Sequence, residues 1–341
     1  MARHHLVPQL YLRRFADSKK QICLVDRDDL SSRTLTTAKQ AVHENDFYGW
    51  NPGLSPDDVD DPALLDPEHI EKLLCVFESR AAGPIGRVND SGLPPTSAKD
   101  RYHLTHFIAL QAARGARFRE DLSQVATYEM RRRMLEEIDV GRVERWLAEH
   151  DMPHGSDDVA AFIDSAYGPK GPRLVPDPTF AVQRALDFAI NGVAPALWAR
   201  SWLVVTFDFP LLLTSDEPVV AWHPDDEPVT AVTAPAVMIA LERRHLLVMR
   251  QVAVGAHADQ PAESASVADA YRAGSADEAQ RFNSLVATQA HKWIVHHPED
   301  AHLVADLPLG PRTEWGEEIL EVFDEGEQIR VRGRVRRVPR M

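Results

Sequence analysis

Residues 202–249 read WLVVTFDFPLLLTSDEPVVAWHPDDEPVTAVTAPAVMIALERRHLLVM, and they decide the fold class. Five short apolar runs stand in this stretch: WLVVTF, PLLLT, VVAW, AVMIAL and HLLVM. Each ends at a turn-forming or charged residue, and none is long enough for a helix with an apolar face, so they read as strands of a mostly antiparallel sheet. The pattern upstream is different. After Asp66-Pro67-Glu68, which supplies a cap, a first-turn proline and an acid, Ile70, Leu73, Leu74 and Phe77 recur with helical period. A second helix is expected after Thr96, carrying Leu104, Phe107, Ile108 and Gln111. A third, rich in arginine and glutamate of alternating sign, is expected from about Phe118 to His150, as an exposed helix supported by charge pairs. Shorter helices are expected at about 157–166 and 178–198.

Downstream of the strand-rich stretch, Ser275 and Glu278 form a capping box ahead of Phe282, Leu285 and Val286, and KWIVHH reads as a further strand. At the amino-terminal end, HHLVPQLYLRRFA reads as a short helix. QICLVD (21–26) reads as a strand that pairs back with residues 33–37. HENDFYGWNPG reads as a loop pinned to the core by Phe47, Tyr48 and Trp50. Helices grouped first and strands grouped later predict an α+β fold, a helix-rich amino-terminal half packed with a mostly antiparallel sheet from the carboxy-terminal half. The 21–37 hairpin is too short to fold alone, so it is expected in the same core as the 202–250 strands. Residues 1–305 are expected as one integrated domain and 306–341 as an extension. Its end, IRVRGRVRRVPR, is strand-like or a loose basic tail and is expected to be peripheral.

The 341 residues suffice for a large core, and 44% hydrophobic with 26% charged residues is ordinary globular composition. A formal charge of −14 disfavours general binding to nucleic acid backbones, which relies on lysine and arginine. The chain carries 31 arginines and only 7 lysines, a bias that reads mainly as coding composition. Cys23 and Cys75 lie in apolar settings and read as small buried hydrophobes. Two cysteines are too few for a disulfide framework or a zinc cluster, so a reducing compartment is expected. No apolar run approaches the length of a membrane span, and the expected location is the cytoplasm. Glycine-rich phosphate loops, HExxH and GxSxG are absent. The acidic stretch 55–66, with Asp57, Asp58, Asp60 and Asp61, lacks the glycine turn and distal glutamate of a calcium loop and reads as solvated.

Four groups of residues have chemistry that core packing does not require. His4 and His5 are adjacent, and both can serve one site only where the backbone is extended or enters a helix; otherwise one bonds into the core and the other is exposed. Gln111 and Arg114 share a helix face, with Arg117 nearby, and can hold a carboxylate or phosphate, or else form an internal ion pair with Glu78 or Asp216. Asp216 ends an apolar run. It can bind a metal or orient a histidine, or accept backbone N–H groups in a turn. His296 and His297, near His291 and His302, do not match a known ligand spacing.

These stretches also carry a likeness. HHLVPQLYLRRFA, FIALQAARGARFR, LLTSDEPVVAW and RFNSLVATQA together resemble the DUF4238 family, bacterial proteins of unknown function, over roughly residues 4–295. Where a common form of that family has asparagine after the aspartate, this chain has Glu217. The resemblance implies no settled catalytic residue. The residues' own placement, as polar interruptions of apolar segments that are costly if scattered, predicts that His4, His5, Arg114 and Asp216 gather as a catalytic cluster, with Gln9, Arg13, Gln111 and Asn283 as substrate-holding residues. The function expected from these residues is that of a hydrolase on a phosphate-bearing or other anionic substrate, with or without a divalent metal. The alternatives are a small-anion sensor without turnover, and a structural or partner-interaction protein in which the cluster is a buried network. No ligand set for a metal is singled out.

Overall fold

The computed structural model describes residues 3–45, 47, 48, 50, 53, 61–168, 171–225, 227, 229–252, 268–305, 307–310, 313–324 and 329–339. The acidic residues Asp57, Asp58 and Asp60 lie outside them. The chain is an α+β protein. In order, the elements are β1 (Arg3–His5), α1 (Gln9–Leu12), β2 (Gln21–Asp26), β3 (Asp29–Thr37), β4 (His43–Asn45), α2 (His69–Ser91), α3 (Ala98–Ala113), α4 (Ala116–Glu137), α5 (Val140–Glu149), α6 (Ser156–Tyr167), α7 (Pro178–Asp187) and α8 (Ala194–Trp198). There follow β5 (Ser201–Thr206), β6 (Thr214–Ser215), β7 (Val220–Trp222), β8 (Ala236–Glu242), β9 (His245–Arg250), β10 (Ala270–Ala273), α9 (Ala276–Gln289), β11 (Trp293–His296), β12 (Thr313–Asp324) and β13 (Ile329–Pro339).

Two compact units are present: residues 1–118 with 177–310, and residues 119–176 with 311–341. The first holds two sheets. One has the strand order β10-β5-β9-β8-β7, antiparallel except for β10 beside β5; the other has the order β3-β2-β11-β6 and is antiparallel throughout. Alternation along a strand sends successive side chains to opposite faces. Ile22, Leu24 and Val295 therefore enter the main core with Trp202, Val204 and the apolar faces of α2 and α3. Their neighbours Cys23, Val25 and Ile294 pack on the other face, against Leu213, Ala287 and Val304. The 21–37 hairpin thus shares a core with the 202–250 strands, as its length requires. Tyr11 ties the two sheets together: its hydroxyl donates to the Ala240 carbonyl on β8 at 2.7 Å and meets Thr214 Oγ1 on β6 at 2.8 Å.

The second unit contains most of α4, α5, α6 and the hairpin of β12 with β13. The arginine-rich end is a strand. The single helix expected over 118–150 is two helices, because Asp139 leaves helical geometry and caps α5 by accepting from Arg142 N at 2.9 Å. Arg132 makes the expected ladder with Glu129 and Glu136. Three further expectations are corrected. The opening HHLVPQLYLRRFA begins as strand β1, with helix only from Gln9. Asp66 spends its side chain on Glu68 N, in the turn before α2. Cys75 is exposed, since it lies off the apolar stripe of Ile70, Leu74 and Ala81.

Candidate functional site

The extended backbone of β1 pairs with β4, His4 opposite Glu44 and His5 opposite His43. Strand geometry sends the two histidines to opposite faces. His4 is buried, and its Nδ1 accepts from Tyr48 N at 2.8 Å, which clips the loop after β4 to β1. His5 is half-buried. Its Nε2 lies 3.0 Å from the Lys39 carbonyl and 3.3 Å from Gln9 Nε2. These two contacts need opposite tautomers, since one asks the nitrogen to donate and the other to accept. Gln9 opens α1, and its Oε1 accepts from Arg13 Nη2 at 3.3 Å, so an exposed guanidinium stands next to Gln9.

Arg114 ends α3 and is buried. Its Nε donates to the Leu6 carbonyl at 3.1 Å and its Nη1 to Glu78 Oε1 on α2 at 2.7 Å. With the Gln111 amide turned so that its oxygen faces donors, that oxygen accepts from Arg114 Nε and Nη2, both at 3.1 Å. Every nitrogen of the guanidinium is engaged within the protein. The Tyr48 hydroxyl reaches both the His5 and Arg114 carbonyls at 3.5 Å. A histidine of β1, the Gln111–Arg114 face and the loop carrying Tyr48 therefore do converge.

The third side of this cluster is α2. Glu71, Cys75 and Glu78 recur at helical spacing on one face. Burial pushes the Glu71 carboxyl above the usual carboxylate range, opposed by Arg114 and reinforced by Glu78. Cys75 is exposed, yet the part of it turned toward the protein is desolvated, which raises the thiol, with Glu78 and Glu71 adding to it and Arg114 opposing. The His5 imidazole moves the other way: burial lowers its pKa, the Lys39 carbonyl and Glu78 oppose this, and His43 and Arg114 add to it. Burial works against the charge of Arg114, but Tyr48, Glu78 and Glu71 outweigh it and hold its pKa above the ordinary value. Glu71 was not among the residues picked from the sequence, and Tyr48 was expected only as a pin for its loop. The 71-75-78 spacing of two acids and a thiol on an amphipathic helix was the available signal.

Asp216 lies apart from this cluster. Its carboxylate accepts from the backbone N–H groups of His291, Lys292 and Trp293 at 2.9, 2.7 and 2.9 Å. Burial pushes its pKa up, against those three donors and the neighbouring His291. It accepts from the turn between α9 and β11, not from its own. Glu217 turns toward the end of α3: its Oε1 accepts from Arg117 N at 3.0 Å, and a Cβ on Gly115 would lie 2.2 Å from that oxygen. The Ser-Asp-Glu motif is thus a clamp, with each acid holding backbone donors of a different segment. Asn283 is also occupied by backbone, accepting from Leu213 N at 3.0 Å and donating to the Leu211 carbonyl at 2.8 Å. His296 is buried and bonds through Nδ1 to the His297 carbonyl, while His297 caps the 298–303 turn by accepting from Glu299 N. Among the described residues, no three His, Cys, Asp or Glu side chains stand close enough to share one metal ion.

A family model described as "Protein of unknown function (DUF4238)" matches residues 3–300. The chain belongs to the DUF4238 family. Comparison with curated proteins and with solved structures finds no significant match. The DUF4238 match runs from β1 through the turn after β11, so it takes in His5, Glu71, Glu78, Arg114 and the Ser-Asp-Glu clamp alike. Among the described residues no helix is long and apolar enough to cross a membrane.

Proposed function

We propose that this DUF4238 chain is a hydrolase acting on a small anionic substrate at the His5–Glu71 edge of the cluster. The observation that carries the reading is that these two half-buried groups, sharing Arg114 and Glu78 as electrostatic neighbours, are displaced in opposite directions. A lowered imidazole pKa favours the neutral form that serves as a base; a raised carboxyl pKa favours the protonated form that serves as a donor. In this reading His5 takes a proton from the attacking water while Glu71 protonates the leaving oxygen. The step ends with imidazolium and carboxylate, and proton exchange with solvent resets both. Arg13, exposed beside Gln9, supplies the cation for the substrate's charge. Arg114 is a positioning residue, since each of its nitrogens already donates within the protein.

The engagement of every Arg114 nitrogen within the protein favours a second reading, in which the cluster only fixes the fold. A panel of p-nitrophenyl phosphate, bis(p-nitrophenyl) phosphate and p-nitrophenyl acetate, with and without divalent cations, separates the two. Turnover of a phosphate ester that falls by about 100-fold or more in His5→Gln, with an unchanged circular dichroism spectrum, is the expected result. Turnover indifferent to His5→Gln and Glu71→Gln overturns the assignment. Absence of turnover with saturable phosphate binding leaves the sensor reading, and absence of both leaves the structural one.

A further inference from the structure

A separate cavity lies along one face of α9, away from the cluster of β1, α2 and α3. Its volume is about 260 Å³, and it is lined by Ala276, Ala279, Gln280 and Asn283 of α9, and by Leu211, His302, Leu303 and Leu307. The spacing 276-279-280-283 is a single helical stripe, and its two alanines leave the space that larger side chains would fill. The cavity is held open from one side. Asn283 spends its amide oxygen and one amide hydrogen on the backbone of Leu213 and Leu211, so it ties α9 to the segment leading into β6 and does not fold into the void. Leu211, Leu303 and Leu307 supply apolar wall. At the rim, the Gln280 amide and the His302 imidazole are exposed and make no hydrogen bond among the described residues.

We infer that this cavity is a binding site for a small, neutral, compact aromatic molecule carrying one hydrogen-bonding group. Size sets the first limit: a cavity of roughly 150 Å³ accepts benzene, so the larger space here suits a bicyclic ring. Polarity sets the second, with an apolar wall for the ring and the Gln280, His302 edge for a single polar group. Charge sets the third. The first turn of α9 already carries Asp277 and Glu278, which neutralise the positive end of the helix dipole, and the chain as a whole bears −14, so an anion gains little here. A ligand of about ten heavy atoms in a half-open cavity binds with a Kd on the order of 10 µM to 1 mM.

Indole tests this on the full chain, by saturation-transfer NMR and calorimetric titration, with naphthalene-2-sulfonate as an anionic counterpart. Indole is expected to saturate one site, and naphthalene-2-sulfonate to bind at least several-fold more weakly. Ala276→Trp, at an exposed rim position, fills the mouth without entering the core and is expected to lower indole affinity at least tenfold. His302→Ala, also on the exposed rim, is expected to lower it about threefold. Both variants keep the wild-type melting temperature. Non-saturating binding, binding unchanged in Ala276→Trp, or preference for the sulfonate would each overturn the inference. The result is independent of whether His5 supports hydrolysis.

Discussion

Replacing Arg114 by methionine keeps most of the side-chain volume and removes the charge and all its donors. The side chain is 4% exposed and its partner Glu78 19%. Removing one member of a buried ion pair costs about 3–5 kcal/mol. Water still reaches Glu78, which moves the estimate toward the lower end. The Leu6 carbonyl and the Gln111 oxygen lose their guanidinium donors, and each buried orphan adds roughly 1–3 kcal/mol. The expected loss is therefore about 5 kcal/mol or more, comparable to the lower end of the roughly 5–15 kcal/mol that holds an ordinary domain together. Glu78→Gln leaves an oxygen that can still accept from Nη1 but strands the buried guanidinium charge, and should cost about 3 kcal/mol. The double variant Arg114→Met with Glu78→Met should be more stable than Arg114→Met alone, because no charge is then stranded. Urea unfolding followed by both circular dichroism and tryptophan fluorescence measures this, provided the two transitions coincide. A loss below about 1 kcal/mol in Arg114→Met, with no recovery in the double variant, would refute the view of Arg114 as an internal anchor. If that variant were also inactive, it would put the residue in the chemistry instead.

Gly115→Ala should displace the Glu217 carboxylate from Arg117 N and cost about 1–2 kcal/mol, and it should add little in a Glu217→Ala background, as a thermal double-mutant cycle would show. Arg200 is buried and donates to the carbonyls of Ala231, Val232, Ala234, Pro235 and Met249, with no carboxylate partner among the described residues. Arg200→Ala should lose at least about 3 kcal/mol, and low concentrations of guanidinium should raise the melting temperature of that variant relative to sodium chloride, while wild type shows no such gain. Burial depresses the pKa of both His5 and His296 below the 6.5 of free imidazole. The unfolded chain then binds more protons than the native one below about pH 6.5. The stability these groups contribute is present above that pH and lost as pH falls toward their native values. Melting temperature should drop between pH 7.5 and 5.5, and His296→Asn, which keeps the donor to the His297 carbonyl, should flatten the drop.

Local pattern alone was enough for the fold class and for most elements. The apolar runs of 202–249, the capping box at Ser275 and Glu278 and the helical period after Ile70 are signals carried by neighbours in sequence, and they appear as β5, β8, β9, α9 and α2. The extended backbone at His4 and His5 was not legible there, because β1 exists only through its pairing with β4 some forty residues later. The destination of each acid was also beyond local pattern. Asp216 and Glu217 are adjacent, yet one meets the turn before β11 and the other the junction of α3 and α4. Glu71 draws its raised pKa from burial against residues of other elements, and Arg114 draws its partners from β1, α2 and α3. Helix and strand periodicity follow from backbone geometry repeated along the chain. Hydrogen-bond partners and electrostatic surroundings depend on distances between segments remote in sequence, and tertiary packing alone sets those distances.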